Sequence, residues 1–283
     1  MSRDGVLVAR HDIVLNETTD VAQRPEFADR WKLVEVDGAP MSGWFAEDFT
    51  LAELKSLRAR ERLPSLRPGS DAFSGREPIL TFDEVIEIAR AATARTGRTI
   101  GVYPELKHPS HLRGLGLDPE AALVAALERE DWTGPEAPVF VQCFEVGTLE
   151  RLSRRLRTPL IQLIATWPGP ADRPELDAAA MTSPGGLADI AAYATGIGVD
   201  KQLVVPRGLD GRLEAPNGLV ADAHAAGLKV HAWTFRAENF FLPAEYRRGG
   251  DERDRGDLAA EVAVYRAAGV DGVFSDHPAL AAP

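Results

Sequence analysis

The chain has 283 residues, with 32 Lys and Arg against 43 Asp and Glu, a formal net charge of −11. That balance argues against a broad nucleic-acid or anionic-membrane surface, which would need clustered excess cations. Hydrophobic residues at 45% and charged residues at 27% make a globular mixture rather than a disordered one. No apolar run reaches the roughly 18 residues of a membrane span, and a single cysteine, Cys143, excludes an internal disulfide framework and a Cys-based zinc cage.

The first element is a turn signal. Asp4-Gly5 stands ahead of the apolar run Val6-Leu7-Val8-Ala9, a pattern that predicts a hairpin with glycine supplying the positive φ. A hairpin needs a strand on both sides, and three residues before Asp4 do not make one. Either this strand is an unsupported flap or the chain begins inside a longer element, and avoidance of unpaired edges favours the second reading, an N-terminal truncation. The opening residues carry no signal-peptide pattern. A periplasmic or secreted location is therefore expected only if a leader lies upstream, and a cytoplasmic one for the chain as it stands.

From about residue 80 strands and helices alternate. Thr81 is a candidate cap for a helix with apolar positions Phe82, Val85, Ile86 and Ala89, ending near Gly97. A strand is predicted over 99–105, then a helix through Arg129 opened by Asp118-Pro119-Glu120 as N-cap, first residue and first-turn acid. Further strands are predicted over 139–142, 159–164, 202–205, 229–234 and 272–275. Helices are predicted between them around 147–156, 186–195, 219–226 and up to Ala268.

Short apolar strands with helical crossovers predict a buried parallel sheet, either an open doubly wound sheet or a closed barrel. Polar residues close several strands, among them Glu105, Gln142, Arg207, Trp233 and Asp276. A barrel focuses such ends onto one mouth, and no glycine-rich nucleotide fingerprint or P-loop follows any strand. The expected fold is α/β, a TIM (β/α)8-type barrel lacking its first two strands. One domain is expected over 1–283, with a hairpin and loop region at 4–80 and βα repeats at 81–283.

Tyr103, Glu105 and Lys107 alternate and so share one face of a strand. A carboxylate and an ammonium at a barrel mouth suit a hard cation and a phosphate oxygen, while a solvated salt bridge is the bland alternative. His11 has the side chain best suited to proton transfer near neutral pH, although a lone strand histidine is more often structural. His108 and His111 are expected at the surface, and His224 and His231 in packing or solvent roles. His277, after the last strand, is within reach of the mouth. Trp233, Phe235 and Phe144 are candidates for an apolar wall. Cys143 is expected to be an inert buried thiol.

Several segments together resemble the glycerophosphodiester phosphodiesterase family. They are Asp4 to Asp12, Leu15 to Asp20, Tyr103-Pro104-Glu105-Leu106-Lys107, Thr234 to Pro243, which is similar to the branch with bacterial periplasmic enzymes, and Gly269 to Pro278. The resemblance implies a TIM barrel that hydrolyses glycerophosphodiesters to sn-glycerol 3-phosphate and an alcohol, in lipid and glycerol metabolism, with a divalent cation, Ca2+ or Mg2+. By motif, His11 matches the second of two acid–base histidines, Glu105 a metal-ligand carboxylate and Lys107 a phosphate contact. Trp233 and Phe144 match the substrate side. The implied partner is a small-molecule glycerophosphodiester, with no nucleic acid and no transmembrane segment. The chain departs from the family pattern in lacking the His-Arg-Gly and Glu-x-Asp segments, which puts activity in question. A catalytically inactive barrel serving as a binding or interaction module is the alternative.

Overall fold

The computed structural model describes residues 1–166 and 169–281. It divides into two compact units, residues 1–158 and 159–283, each with its own chain logic.

In the first unit the Asp4-Gly5 turn closes locally. Gly5 takes φ 82° and the Ser2 amide donates to Val6 O at 2.9 Å. The hairpin expected there does not form. The run Leu7–Arg10 instead bridges antiparallel to Thr81 through Val8, with Ala9 N donating to Leu80 O at 2.8 Å and Phe82 N to Leu7 O at 3.0 Å. Its partner is therefore more than seventy residues away, because the backbone groups of the short run are satisfied by the segment entering the next long helix. The Asp-Gly signal that does make a hairpin is Asp37-Gly38. With φ of 53° and 78° it joins β1 (Lys32–Val36) to β2 (Ala39–Gly43) in antiparallel register, as two positive φ values in a two-residue turn demand. One apolar cluster gathers Leu15, Val21, Phe27, Phe49, Leu54 and Leu57.

Two helices follow their caps closely. Thr50 and Glu53 form a reciprocal capping box on Leu51–Ser56, and Thr81 and Glu84 do the same on Phe82–Thr96, which ends at Gly97 with φ 68°. The helix Pro119–Arg129 starts as predicted, with Asp118 accepting from Ala121 N at 2.8 Å. The predicted strand over 99–105 is present only as two parallel bridges, Val102 to Val139 and Glu105 to Gln142. The reason lies at Pro104. A continuous ladder in that register would place an amide donor at residue 104, and proline has none. Gln142 N still donates to Pro104 O at 2.9 Å and Leu106 N to Gln142 O at 3.0 Å, so the segment is held on either side of the missing bond. β3 (Val141–Cys143) leads into the helix Val146–Ser153. The Cys143 thiol is fully buried and donates to Leu106 O at 3.2 Å.

The second unit alternates parallel strands and helices. β4 (Leu160–Ile164), β5 (Gly196–Asp200), β6 (Lys229–Phe235) and β7 (Gly272–Ser275) lie side by side in sequence order, all parallel. The helices Pro184–Ala191, Leu219–Ala225 and Leu258–Ala267 separate them. The strand expected at 202–205 is corrected to β5. Residues Lys201–Leu203 form a 3-10 turn, because the Asp200 carboxylate accepts from Gln202 N and closes the strand. β5 itself is glycine-bearing for a packing reason, since a Cβ at Gly196 would sit 2.8 Å from Lys229 O. Beyond β5 the Lys201 ammonium reaches the buried Glu261 carboxylate at 2.6 Å. Among the described residues no helix is long and apolar enough to cross a membrane.

Candidate active site

The first unit brings the predicted His11, Glu105 and Lys107 together. Tyr103, Glu105 and Lys107, alternating along the interrupted strand, line a cavity of about 550 Å³ with His11, Arg10 and Gln142. A smaller neighbouring cavity of about 70 Å³ shares Arg10, His11, Glu105 and Lys107 and adds Asp12. Lys107 Nζ donates to Glu105 Oε1 at 2.9 Å. Both side chains are mostly buried, 23% and 18% exposed, so water screens this pair less than a surface pair. Tyr103 packs its ring against Phe140 with centroids 5.1 Å apart, and burial pushes its hydroxyl well above the ordinary range.

His11 is the exposed member, with 70% of its side chain open to solvent. Its Nδ1 lies 2.8 Å from Asp12 Oδ1. The other Asp12 oxygen is ion-paired with Arg62. The hydrogen bond to His11, then the Arg62 and Arg10 charges, hold the Asp12 carboxyl below its usual value against the opposing effect of burial. Arg10 donates to Val14 O at 3.1 Å and to the Thr18 hydroxyl. Its Nε is buried without a hydrogen-bond partner, and burial pushes its guanidinium down to about 10. Neither Arg10 nor Arg62 is among the residues expected at the site. The signal for Arg10 was a cation inside an otherwise apolar strand; Arg62 left none, since its partner is 50 residues away.

The other predicted positions, Phe144 and Trp233, belong to different units. Phe144, half-buried after β3, belongs to the first unit but does not line the cavity of Glu105 and Lys107. Trp233 lies in β6 of the second unit, in register with Asp200. There His277 Nε2 is 3.4 Å from Glu238 and Asp276 accepts from Arg236 Nε at 2.8 Å. The surface placement of His111 is corrected. Its Nε2 contacts Glu47 Oε1 at 2.9 Å, with the two side chains only 11% and 1% exposed, because a buried carboxylate requires a charged or hydrogen-bonding partner. His108 pairs with Asp37 at 2.6 Å, and His231 is buried in β6.

A hard divalent cation takes about six to eight oxygen ligands. The cavity offers Glu105, one of whose oxygens already accepts from Lys107, and the buried Gln142 Oε1, which has no hydrogen-bond partner. Among the described residues no group of three His, Cys, Asp or Glu side chains is arranged to hold a metal ion. These residues do not complete a cation site.

Comparison with solved structures defines the fold class. A crystal structure from Silicibacter pomeroyi DSS-3, assigned as a glycerophosphoryl diester phosphodiesterase, matches with a TM-score of 0.64 and 19% identity, covering 99% of this chain and 79% of that one. One from Agrobacterium tumefaciens, assigned likewise, gives 0.57 and 21% over 99% and 80%. The fold is α/β of the TIM-barrel type. In sequence, the model of the glycerophosphoryl diester phosphodiesterase family matches residues 1–280. Glycerophosphodiester phosphodiesterase GDPD6 of Arabidopsis thaliana is 37% identical over 290 residues, covering 97% of this chain and 73% of that protein. The glycerophosphodiester phosphodiesterase of Haemophilus influenzae is 28% identical over 310 residues, at 98% and 78%. The chain belongs to the glycerophosphoryl diester phosphodiesterase family, as its motifs led one to expect.

Proposed function

We propose that the protein hydrolyses glycerophosphodiesters to sn-glycerol 3-phosphate and an alcohol. The observation that carries this reading is the convergence of His11, Glu105 and Lys107 on one cavity of a chain that belongs to this family. Lys107 is the cation that offsets negative charge on the phosphoryl oxygens as the phosphorus becomes five-coordinate. Glu105 orients Lys107 through their 2.9 Å contact. A water oxygen attacks phosphorus, the bond from phosphorus to the alcohol oxygen breaks, and protonated His11 gives its proton to the departing alkoxide. The attacking water loses its proton to solvent.

The divalent cation implied by the family, Ca2+ or Mg2+, belongs to this proposal only as a requirement to be tested, because the donor set at Glu105 and Gln142 is short of a complete site. That shortage favours a second reading, a barrel that binds phosphodiesters without turnover. One experiment separates the two. Purified protein is incubated with glycerophosphocholine and Ca2+, Mg2+ or chelator, and glycerol 3-phosphate and choline are quantified. Release that is lost in His11→Ala supports hydrolysis. Saturable binding without release supports the second reading.

A further inference from the structure

His11 carries the proton in the proposed reaction, yet an imidazole 70% exposed has little packing to keep its ring in one orientation. What it has is a carboxylate. Asp12 Oδ1 lies 2.8 Å from Nδ1, while Asp12 Oδ2 is engaged by an Arg62 guanidinium nitrogen. The carboxylate therefore bridges a histidine and an arginine that stand about fifty residues apart.

Both ends of the bridge are tied to the frame. On the histidine side, Ala46 N donates to Ile13 O at 2.9 Å and Arg10 to Val14 O at 3.1 Å. On the arginine side, Arg60 N donates to Thr18 O at 2.9 Å, Glu61 N to Ser74 Oγ at 2.9 Å, and Leu63 N to Glu61 Oε1 at 2.9 Å. Arg62 thus projects from a loop whose neighbouring residues are hydrogen-bonded on both sides. The charges that face Asp12 are Arg62, Arg10 and His11.

We propose that Arg62 is a positioning residue which, by holding Asp12 against His11, fixes the imidazole with its proton on Nδ1 and leaves Nε2 for proton exchange with substrate. A carboxylate accepts only, so the Nδ1 that contacts it is the ring's donor. Arg62 limits rotation of the Asp12 carboxylate, and the carboxylate in turn limits rotation of the ring. Partners of this kind alter activity without touching the reacting atoms, by about 10- to 100-fold where they have been removed beside metal-bound histidines.

The inference rests on the role given to His11 above, so its test begins with a readout that needs no turnover. Long-range 1H–15N spectra of labelled protein report which ring nitrogen carries the proton, with His11 assigned by its loss in His11→Gln. The wild-type protein is expected to show His11 as the Nδ1–H tautomer when neutral. Arg62→Met and Asp12→Asn are expected to show mixed tautomers, and Arg62→Lys to recover most of the wild-type pattern. Unchanged signals from the other five of the six histidines confirm the fold of each variant. A wild-type tautomer in Arg62→Met, whatever Asp12→Asn shows, or mixed tautomers in the wild type, overturns the proposal. In the activity arm, Arg62→Met is expected to lower kcat on glycerophosphocholine about tenfold with KM unchanged, and an unchanged kcat overturns the catalytic consequence. Absence of wild-type hydrolysis rejects the proposed reaction while the tautomer result still decides the positioning role.

Discussion

A Cβ at Gly101 would lie 2.5 Å from the carbonyl oxygen of Pro138, the same oxygen that accepts from Val102 N at 2.9 Å. The contact is backbone on one side and the strand carrying Glu105 and Lys107 on the other, so neither a rotamer change nor a flexible side chain can relieve it. Gly101→Ala is expected to cost about 1–3 kcal/mol and to displace Glu105 from Gln142. Urea unfolding measures the first effect, and hydrolysis of glycerophosphocholine at the permissive temperature measures the second. A variant with wild-type stability would show that the segment shifts freely.

Lys201 and Glu261 form a buried pair in the second unit, 11% and 0% exposed. Burial pushes the lysine down and the carboxyl up, and each is drawn back by the charge of the other. Breaking one side strands the other. Lys201→Met is expected to destabilise by about 3–5 kcal/mol, whereas the double change Lys201→Met with Glu261→Leu is expected to recover most of that loss. A double-mutant cycle in urea checks the non-additivity.

Acid sensitivity of the first unit is expected to run through Glu53. The bidentate Arg30 contact, at 2.6 and 3.0 Å, is the main cause that holds its carboxyl at about 2, with the Thr50 cap adding to it. A depressed acid contributes stability above its ordinary value of 4.5 and loses it as pH falls toward the folded value. Unfolding free energy should therefore fall between about pH 5 and pH 2, and Glu53→Gln should flatten that slope. Arg30 also stacks 4.9 Å from the Phe27 ring and 4.8 Å from Phe49, so Arg30→Ala should lose packing as well as charge.

At the cavity, His11→Ala is expected to lower kcat by about 10²–10⁴. Lys107→Met is expected to lower kcat/KM by removing charge stabilisation that strengthens in the transition state. Steady-state kinetics separate them. The first should act mainly on kcat, and the second on kcat/KM.

Local chemistry makes much of this chain legible from its residues alone. Thr81, Gly97, Asp118 and Gly227 mark helix ends because capping depends on a few neighbouring residues. The apolar runs of β4, β6 and β7 stand out directly. The alternation of Tyr103, Glu105 and Lys107 puts three side chains on one face through the two-residue period of an extended chain.

Other features answer to partners that sequence order hides. A single missing amide at Pro104 reduces a predicted strand to two bridges. Hydrogen bonding to β4 and β6 chooses the glycine-bearing Gly196–Asp200 over the more aliphatic run that follows it, since a strand is defined by its neighbours as much as by its propensity. His111 meets Glu47 across 64 residues, and Asp12 meets Arg62 across 50. The motifs, the caps and the family were thus determined by sequence alone. Which charges lie beside which, and so what supports His11, was decided by tertiary structure, because electrostatic contact depends on distance in space and on burial.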